Sequence, residues 1–399
     1  MHRGLNLVTR LATIVVVVAL SACASAPASS TSSSANQPDY QIGVILALSG
    51  AAAPYGTGTL KGLQAYVDMV NRTGGVNGHK VITSVLDDGS DPTRSVTDFQ
   101  QLSTQKNVIG ISGLTLSTTC GAVYPQALPA KIPLICQGAP QNLLVPAQPY
   151  LYQTQTTLPS QVKPLMDYGK SIMTGQNIKV ASVITNSSAN VTFRQNIIDR
   201  AKTEGWQLVV DQTLPLGFSD FSAQATEIAA KKPDLIVAAV PGPSSAVVMM
   251  RALQSNGVNV PVLDYTGAND VQTMQTINNP SLYTAREYGY ALSSGNSKGI
   301  NNWIRDAKAD GFDPNLLNAV NGYVQGMITV AALKKCVSPC TGEALEKALE
   351  SLSVDTAGVT PGVISYSTTS HIALHSVSIV HLTDPTGFPT VVKSNVPTG

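Results

Sequence analysis

Leu46 to Gly62 reads LALSGAAAPYGTGTLKG, and it closes the apolar run that begins at Ile42. After the small residues, Leu60, Leu63, Tyr66, Val67 and Val70 recur at helical steps, so one helix face is buried. Strand, small-residue loop and helix are also the parts of a nucleotide site. The spacing argues against one. A P-loop needs G-x-x-x-x-G-K-[ST], but five residues separate Gly50 from Gly56, and Thr57 follows. The dinucleotide fingerprint needs G-x-G-x-x-G, whereas Gly56, Gly58 and Gly62 are one residue too long. The loop carries no basic residue. The small residues leave room for close approach, and the rest of the chain has to say of what.

Working outward, strand candidates are Gln41–Leu48, Val81–Leu86, Val108–Ile111, Pro133–Cys136, Ile178–Ile184, Leu208–Val210, Leu235–Val240 and Val260–Leu263. Several are apolar throughout, as parallel strands covered on both faces are. Helical stretches alternate with them. Asp91-Pro92 and Asp313-Pro314 read as N-caps with proline in the first turn, and Gly74-Gly75 stops the first long helix. This βαβα order predicts an α/β chain with parallel sheets. The strand series pauses near Tyr150–Leu158, and a second break falls near Tyr288–Ser293. The expected lobes are 40–157 plus 290–365, and 158–289 plus 366–399. A helical region, Lys298–Leu352, precedes late β-rich segments at Ile372–Leu382 and Phe388–Val392.

The chain has 399 residues, a net charge of +1 and only 12% charged residues, which offers no footprint for nucleic acid. Its start reads as an export signal over residues 1–22: His2, Arg3 and Arg10 precede an apolar run, Leu11–Leu20, about half the length a membrane span needs. Leu20-Ser21-Ala22-Cys23 resembles a bacterial lipobox. That resemblance implies cleavage before Cys23, a lipid on its thiol, and a protein held on the outer face of the cell membrane by the anchor only. The alternative is an ordinary signal peptide with an incidental cysteine. Residues 23–39 include ASAPASSTSSSANQP, without charge or bulky apolar residue, which is a flexible tether. Four cysteines remain, and three pairings are open to them. The nearest-neighbour choice is Cys120–Cys136 with Cys336–Cys340, the first closing a loop worth about 3 kcal/mol; the alternative is four buried thiols.

Four motifs in order, S-G-x-x-x-x-Y-G from Ser49, G-G-V-N-G from Gly74, D-D-x-x-D-P from Asp87 and G-x-x-x-S ending at Ser117, resemble those of the type I periplasmic binding proteins. The nearest branch is that of the branched-chain amino acid and amide binding lipoproteins of ABC importers. The resemblance implies two Rossmann-like lobes joined by three strands and closing on a small organic ligand: a branched-chain amino acid, an amide or an amine-free organic acid. It further implies a monomer that hands its ligand to permease subunits, uses no cofactor or metal and is not an enzyme. Carried over by position, the ligand-binding residues are Tyr55 beside the ligand, Thr115 and Ser117 at a helix start that favours an anion, the loop Gln137, Gly138 and Ala139, and Tyr265 and Thr266 on the second lobe. The chain departs from the family at two places. Pro140 stands where a threonine grips the α-amino acid, and Thr266 where a glutamate pairs with the ammonium. The second lobe's aromatic positions fall on Ala189 and Pro241. A buried ammonium needs a carboxylate, which only Asp264 or Asp270 could then supply, so a ligand without an α-amine is expected.

Rival motifs weigh less. His371-x-x-x-His375 has zinc-like spacing but lies in a strand pattern, where residues four apart are about 13 Å apart. Asp87-Asp88 follows a strand and reads as solvated or as fixing a loop. Ser103-x-x-Lys106 lacks the partner motifs of a hydrolase. An exported hydrolase or a ligand sensor on the same fold is the alternative function.

Overall fold

A computed structural model describes residues 38–105, 107–175, 177–240, 243–265, 285–288, 297–381 and 390–398. The leader, Cys23 and most of the tether lie outside these residues, as do Thr266 and Asp270.

In the first series, β1 (Tyr40–Leu46) leads to α1 (Ala53–Arg72), β2 (Val81–Asp87) to α2 (Pro92–Gln105), β3 (Gly110–Gly113) to α3 (Ser117–Ala130), and β4 (Leu134–Cys136) to the short α4 (Gln141–Leu144) before β5 (Leu151–Gln153). The second series runs α5 (Val162–Ile172), β6 (Lys179–Thr185), α6 (Ser188–Glu204), β7 (Gln207–Leu214), α7 (Ser222–Lys231), β8 (Leu235–Ala239), α8 (Pro243–Ser255), β9 (Val262–Asp264) and β10 (Ala285–Tyr288). Then come α9 (Lys298–Ala309), α10 (Ala319–Lys335), α11 (Gly342–Leu349), the ribbon β11 (Ser353–Val354) and β12 (Ile364–Ser365), and finally β13 (Ser376–His381) and β14 (Thr390–Pro397).

These strands form two large sheets. The first, β2-β1-β3-β4-β5, is parallel throughout. The second has the order β14-β13-β10-β9-β8-β6-β7; it is parallel from β7 to β10, and β13 and β14 add an antiparallel edge. All eight strand candidates overlap an observed strand, because covering a sheet on both faces leaves its strands continuously apolar. Helices α9 to α11 return to the first sheet: Ile300, Trp303, Tyr323 and Leu345 share a core with Ile42, Val44 and Leu46. The last passage between sheets falls later than the expected 365/366 boundary. Tyr366, Ala373 and Leu374 still belong to the first core, and Ile372 pairs with Gln153 beside β5.

Local signals read well where they are purely local. Asp91 Oδ1 accepts from the N–H groups of Thr93 and Arg94 at the start of α2, and Gly74 and Gly75 take positive φ after α1. Asp313 differs. It closes a turn through the Asn315 N–H at 2.9 Å, and the helix starts only at Ala319. The cysteines pair as Cys120–Cys136 and Cys336–Cys340. His371 lies ahead of the strand, buried, its Nδ1 3.0 Å from the carbonyls of Gln148 and Leu151 and its ring stacked on Tyr152. Burial lowers its pKa.

The small-residue stretch is a loop only as far as Ala52, and α1 takes over at Ala53. Gly56, Gly58, Thr59 and Gly62 are buried within α1. A Cβ on Gly58 would lie 1.7 Å from the Leu317 carbonyl oxygen, one on Gly62 1.7 Å from that of Ala319, and one on Gly322 1.9 Å from that of Thr59. The glycines thus let α1 and α10 pack backbone to backbone inside the first lobe; they serve no approach of one lobe to the other. Gly62→Ala would ordinarily favour a helix by about 1 kcal/mol. Here the methyl must push two helices apart, and a net destabilisation of about 1–3 kcal/mol is expected in urea unfolding.

Glu346 on α11 is 6% exposed and accepts the Tyr150 N–H at 2.7 Å. Burial, with nearby Glu350, pushes its carboxyl up to about 7 against the bonds from Tyr150 and Tyr152. Because the folded value lies above the unfolded one, the stabilisation is complete below the ordinary Glu range and is lost as pH rises through about 7. The wild-type protein should lose roughly 3 kcal/mol of unfolding free energy over that rise. Glu346→Gln should flatten the profile, as denaturation at a series of pH values will read.

Candidate functional site

Open α/β sheets bind ligands beyond the carboxyl ends of their strands, where the strand order reverses. In the first sheet that point lies between β1 and β3, and in the second between β6 and β8. Helices α3 and α6, which start there, approach one another across the two sheets.

The segment after β1 is held by carboxylates, as the loop-fixing reading of Asp87-Asp88 expects. Asp87 accepts from the N–H groups of Leu48, Ser49 and Gly89 and from the Ser49 hydroxyl. Partial desolvation pushes its carboxyl up, but these bonds outweigh it and hold the group below the usual range. Asp88 is fully buried on Ser90 and Ser95, and burial raises it.

Thr115, Ser117 and Gly138 come together. A Cβ on Gly138 would lie 3.3 Å from both the Ser117 nitrogen and the Thr115 carbonyl oxygen, so the loops after β3 and β4 touch there. The Thr115 hydroxyl is 3.5 Å from the Ala47 N–H. Ser117 is the first residue of α3, not its cap. The N-cap is Leu116, and no side chain caps the helix. The opening turn therefore keeps N–H groups that a helix normally gives to a capping oxygen. Beside it, Gln137 is 4% exposed; its Oε1 lies 3.3 Å from the Thr59 hydroxyl, and its buried Nε2 has no hydrogen-bond partner. The Ala139 N–H is already committed to Gln153 Oε1 at 2.8 Å, and Pro140 has none to give. Tyr55 sits in the first turn of α1, half-buried, its carbonyl accepting from Thr59 and Asn318.

On the second lobe Tyr265 is buried, edge-on to Phe193 in the core. Asp264 is fully buried, and its Oδ1 accepts from the N–H groups of Tyr265 at 2.8 Å and Val240 at 3.4 Å. Ala189 is half-buried in the first turn of α6, and Pro241 lies outside the described residues. Sequence reasoning missed Asn190 beside it. Its Nδ2 bonds Thr185 and the Ala239 carbonyl, while its buried Oδ1 is unpartnered. An asparagine three residues after a capping Ser187 is the signal that could have found it.

A family model described as "Periplasmic binding protein" matches residues 39–387. The chain belongs to that family. Among its relatives, Leu/Ile/Val-binding protein homolog 8 of Brucella abortus (strain 2308) is 23% identical over 307 residues, covering 74% of this chain and 76% of its own length. Two solved structures show the same fold. The solute binding protein of an ABC transporter from Rhodopseudomonas palustris BisB5, in complex with 3,4-dihydroxy benzoic acid, superimposes with a TM-score of 0.79 at 19% identity, covering 90% of this chain and 98% of its own. The branched-chain amino acid transporter substrate binding protein LivJ from Streptococcus pneumoniae, in complex with isoleucine, gives 0.76 at 21% identity, covering 89% and 99%. The first sheet, the second sheet up to β13 and the helices that return to the first one fall within the matched region. Membership of a solute-binding family also favours a binder over an exported hydrolase.

Proposed function

We propose that this chain is an extracytoplasmic, lipid-anchored solute-binding protein that captures a small organic ligand between its two lobes and hands it to the permease subunits of an ABC importer. It acts as a monomer, with one lobe built on the first sheet and keeping the chain through Leu374, and the other built on the second sheet, the two closing about the connecting strands. The observation that carries the reading is the uncapped start of α3 next to the unpartnered Gln137 Nε2. Hydrogen-bond donors at a helix N-terminus suit a carboxylate or a strong acceptor.

The same site is short of an ammonium grip. Pro140 offers neither N–H nor hydroxyl, the Ala139 N–H is spent on Gln153, and Oδ1 of Asp264 already accepts from two backbone donors. Isoleucine and 3,4-dihydroxybenzoate, the ligands of the two similar structures, share a carboxylate, and only isoleucine carries an amine. The ligand of this chain is therefore an acid or amide without a free α-amine, held through Tyr55, Thr115, Ser117, Gln137 and Gly138, with Tyr265 and Thr266 closing from the second lobe.

Calorimetry with leucine, 4-methyl-2-oxopentanoate and 3,4-dihydroxybenzoate tests this. An amine-free acid should bind in the micromolar range and leucine at least about tenfold more weakly, a difference of about 1.4 kcal/mol. Ser117→Ala should cost about 1–2 kcal/mol of that binding. Micromolar leucine with neither acid bound would overturn the ligand class. For the anchor, Cys23→Ser should leave the protein unprocessed or release it from the membrane fraction; unchanged processing and retention would argue against lipidation.

A further inference from the structure

We propose that the Cys120–Cys136 disulfide is a positioning element of the ligand site, holding the opening turn of α3 against the loop after β4 so that the cradle is set before a ligand arrives. The inference rests on the solute-binding reading above. Cys120 lies three residues after Ser117, and Cys136 immediately precedes Gln137. The crosslink thus joins the two segments that supply the uncapped helix start and the unpartnered amide. Both cysteines are fully buried. Two further contacts lock the same pair of segments: Gly138 lies against Ser117 and Thr115, and a Cβ on Gly121 would meet Pro140 Cγ at 2.8 Å.

The helix itself gives little help. No side chain caps it, and Pro125 and Pro129 lie within it. Each proline removes one N–H from the helical ladder. A weak helix with an open start would drift unless its first turn were fixed from outside, and a drifting start would lose ordering entropy on every binding event. The second disulfide serves as a control. Cys336 and Cys340 join the end of α10 to the start of α11. Because α10 begins beside Tyr55 through Asn318 and runs 17 residues, that crosslink lies at the far end of the helix, roughly 25 Å from Tyr55 along it.

The test compares Cys120→Ala/Cys136→Ala with Cys336→Ala/Cys340→Ala. Amide exchange in ligand-free protein should rise by about tenfold or more at Leu114 and Gln137, whose N–H groups bond Ile45 and Gly113 across the cradle. Leu134, at the start of β4, should change only as far as the overall loss of stability requires. Calorimetry with 4-methyl-2-oxopentanoate and 3,4-dihydroxybenzoate should show affinity falling about tenfold in the first double variant and staying within about twofold in the second. Equal rises at Leu114, Gln137 and Leu134 would overturn the proposal, and so would unchanged affinity in a folded first variant. If the wild-type protein binds neither probe, the ligand reading fails and the exchange comparison still decides this one. Should the first variant not fold, Cys120→Val/Cys136→Ala restores side-chain volume and carries the same two readouts.

Discussion

The backbone contact between α1 and α10 is the constraint on which the first lobe depends. Glycine at 58, 62 and 322 leaves the crossing without a Cβ at its closest points, so carbonyl oxygens beside one helix sit where side chains of the other would otherwise stand. Close approach has a polar consequence. Asn318, at the start of α10, reaches the Tyr55 carbonyl and the Thr59 hydroxyl, and that hydroxyl lies against Gln137. Further along the same helix, Gln325 Nε2 bonds the carbonyls of Gly113 and Ile135. A side chain 212 residues after Gly113 and 190 after Ile135 thereby fixes the carboxyl ends of β3 and β4, from which the segments carrying Thr115, Ser117 and Gln137 spring.

The same economy governs the cleft. Buried polar atoms are costly unless bonded, and most here are bonded within the protein. Gln153 alone ties Ala139 to the first passage between the lobes, bonding the carbonyls of Gln155 and Thr156. Among the buried atoms left without a partner are Gln137 Nε2, just after β4, and Asn190 Oδ1, in the first turn of α6, one on each lobe. The carboxylates that look chemical in the sequence, Asp87 and Asp88, are instead consumed in shaping the turn between β2 and α2.

How much of this was legible follows from how far each signal reaches along the chain. The eight strand positions, the Asp91 cap, the Gly74-Gly75 stop and both cysteine pairings rest on neighbours within about twenty residues, and the structure bears them out. Asp313 misleads because an Asx turn and a helix cap share the same first hydrogen bond, and only the following residues decide whether a helix continues. The glycines of α1 look like a ligand loop for the same reason: a local reading sees small residues but not what presses on them. The matched spacing of Gly58 with Gly62 and of Gly322 with Gly326 was visible, but nothing in either stretch says that the two helices meet.

The sequence by itself therefore determined the α/β order and the family, because hydrophobic period and turn chemistry are written over short windows. Tertiary structure alone decided which donors remain for a ligand. Whether the Ala139 N–H is spent, whether α3 has a cap and whether Asp264 can meet an ammonium depend on atoms that folding brings from elsewhere, Gln153 and Val240 among them. A hydrogen bond is set by distance and angle in space, and spacing along the chain does not encode either one between distant segments.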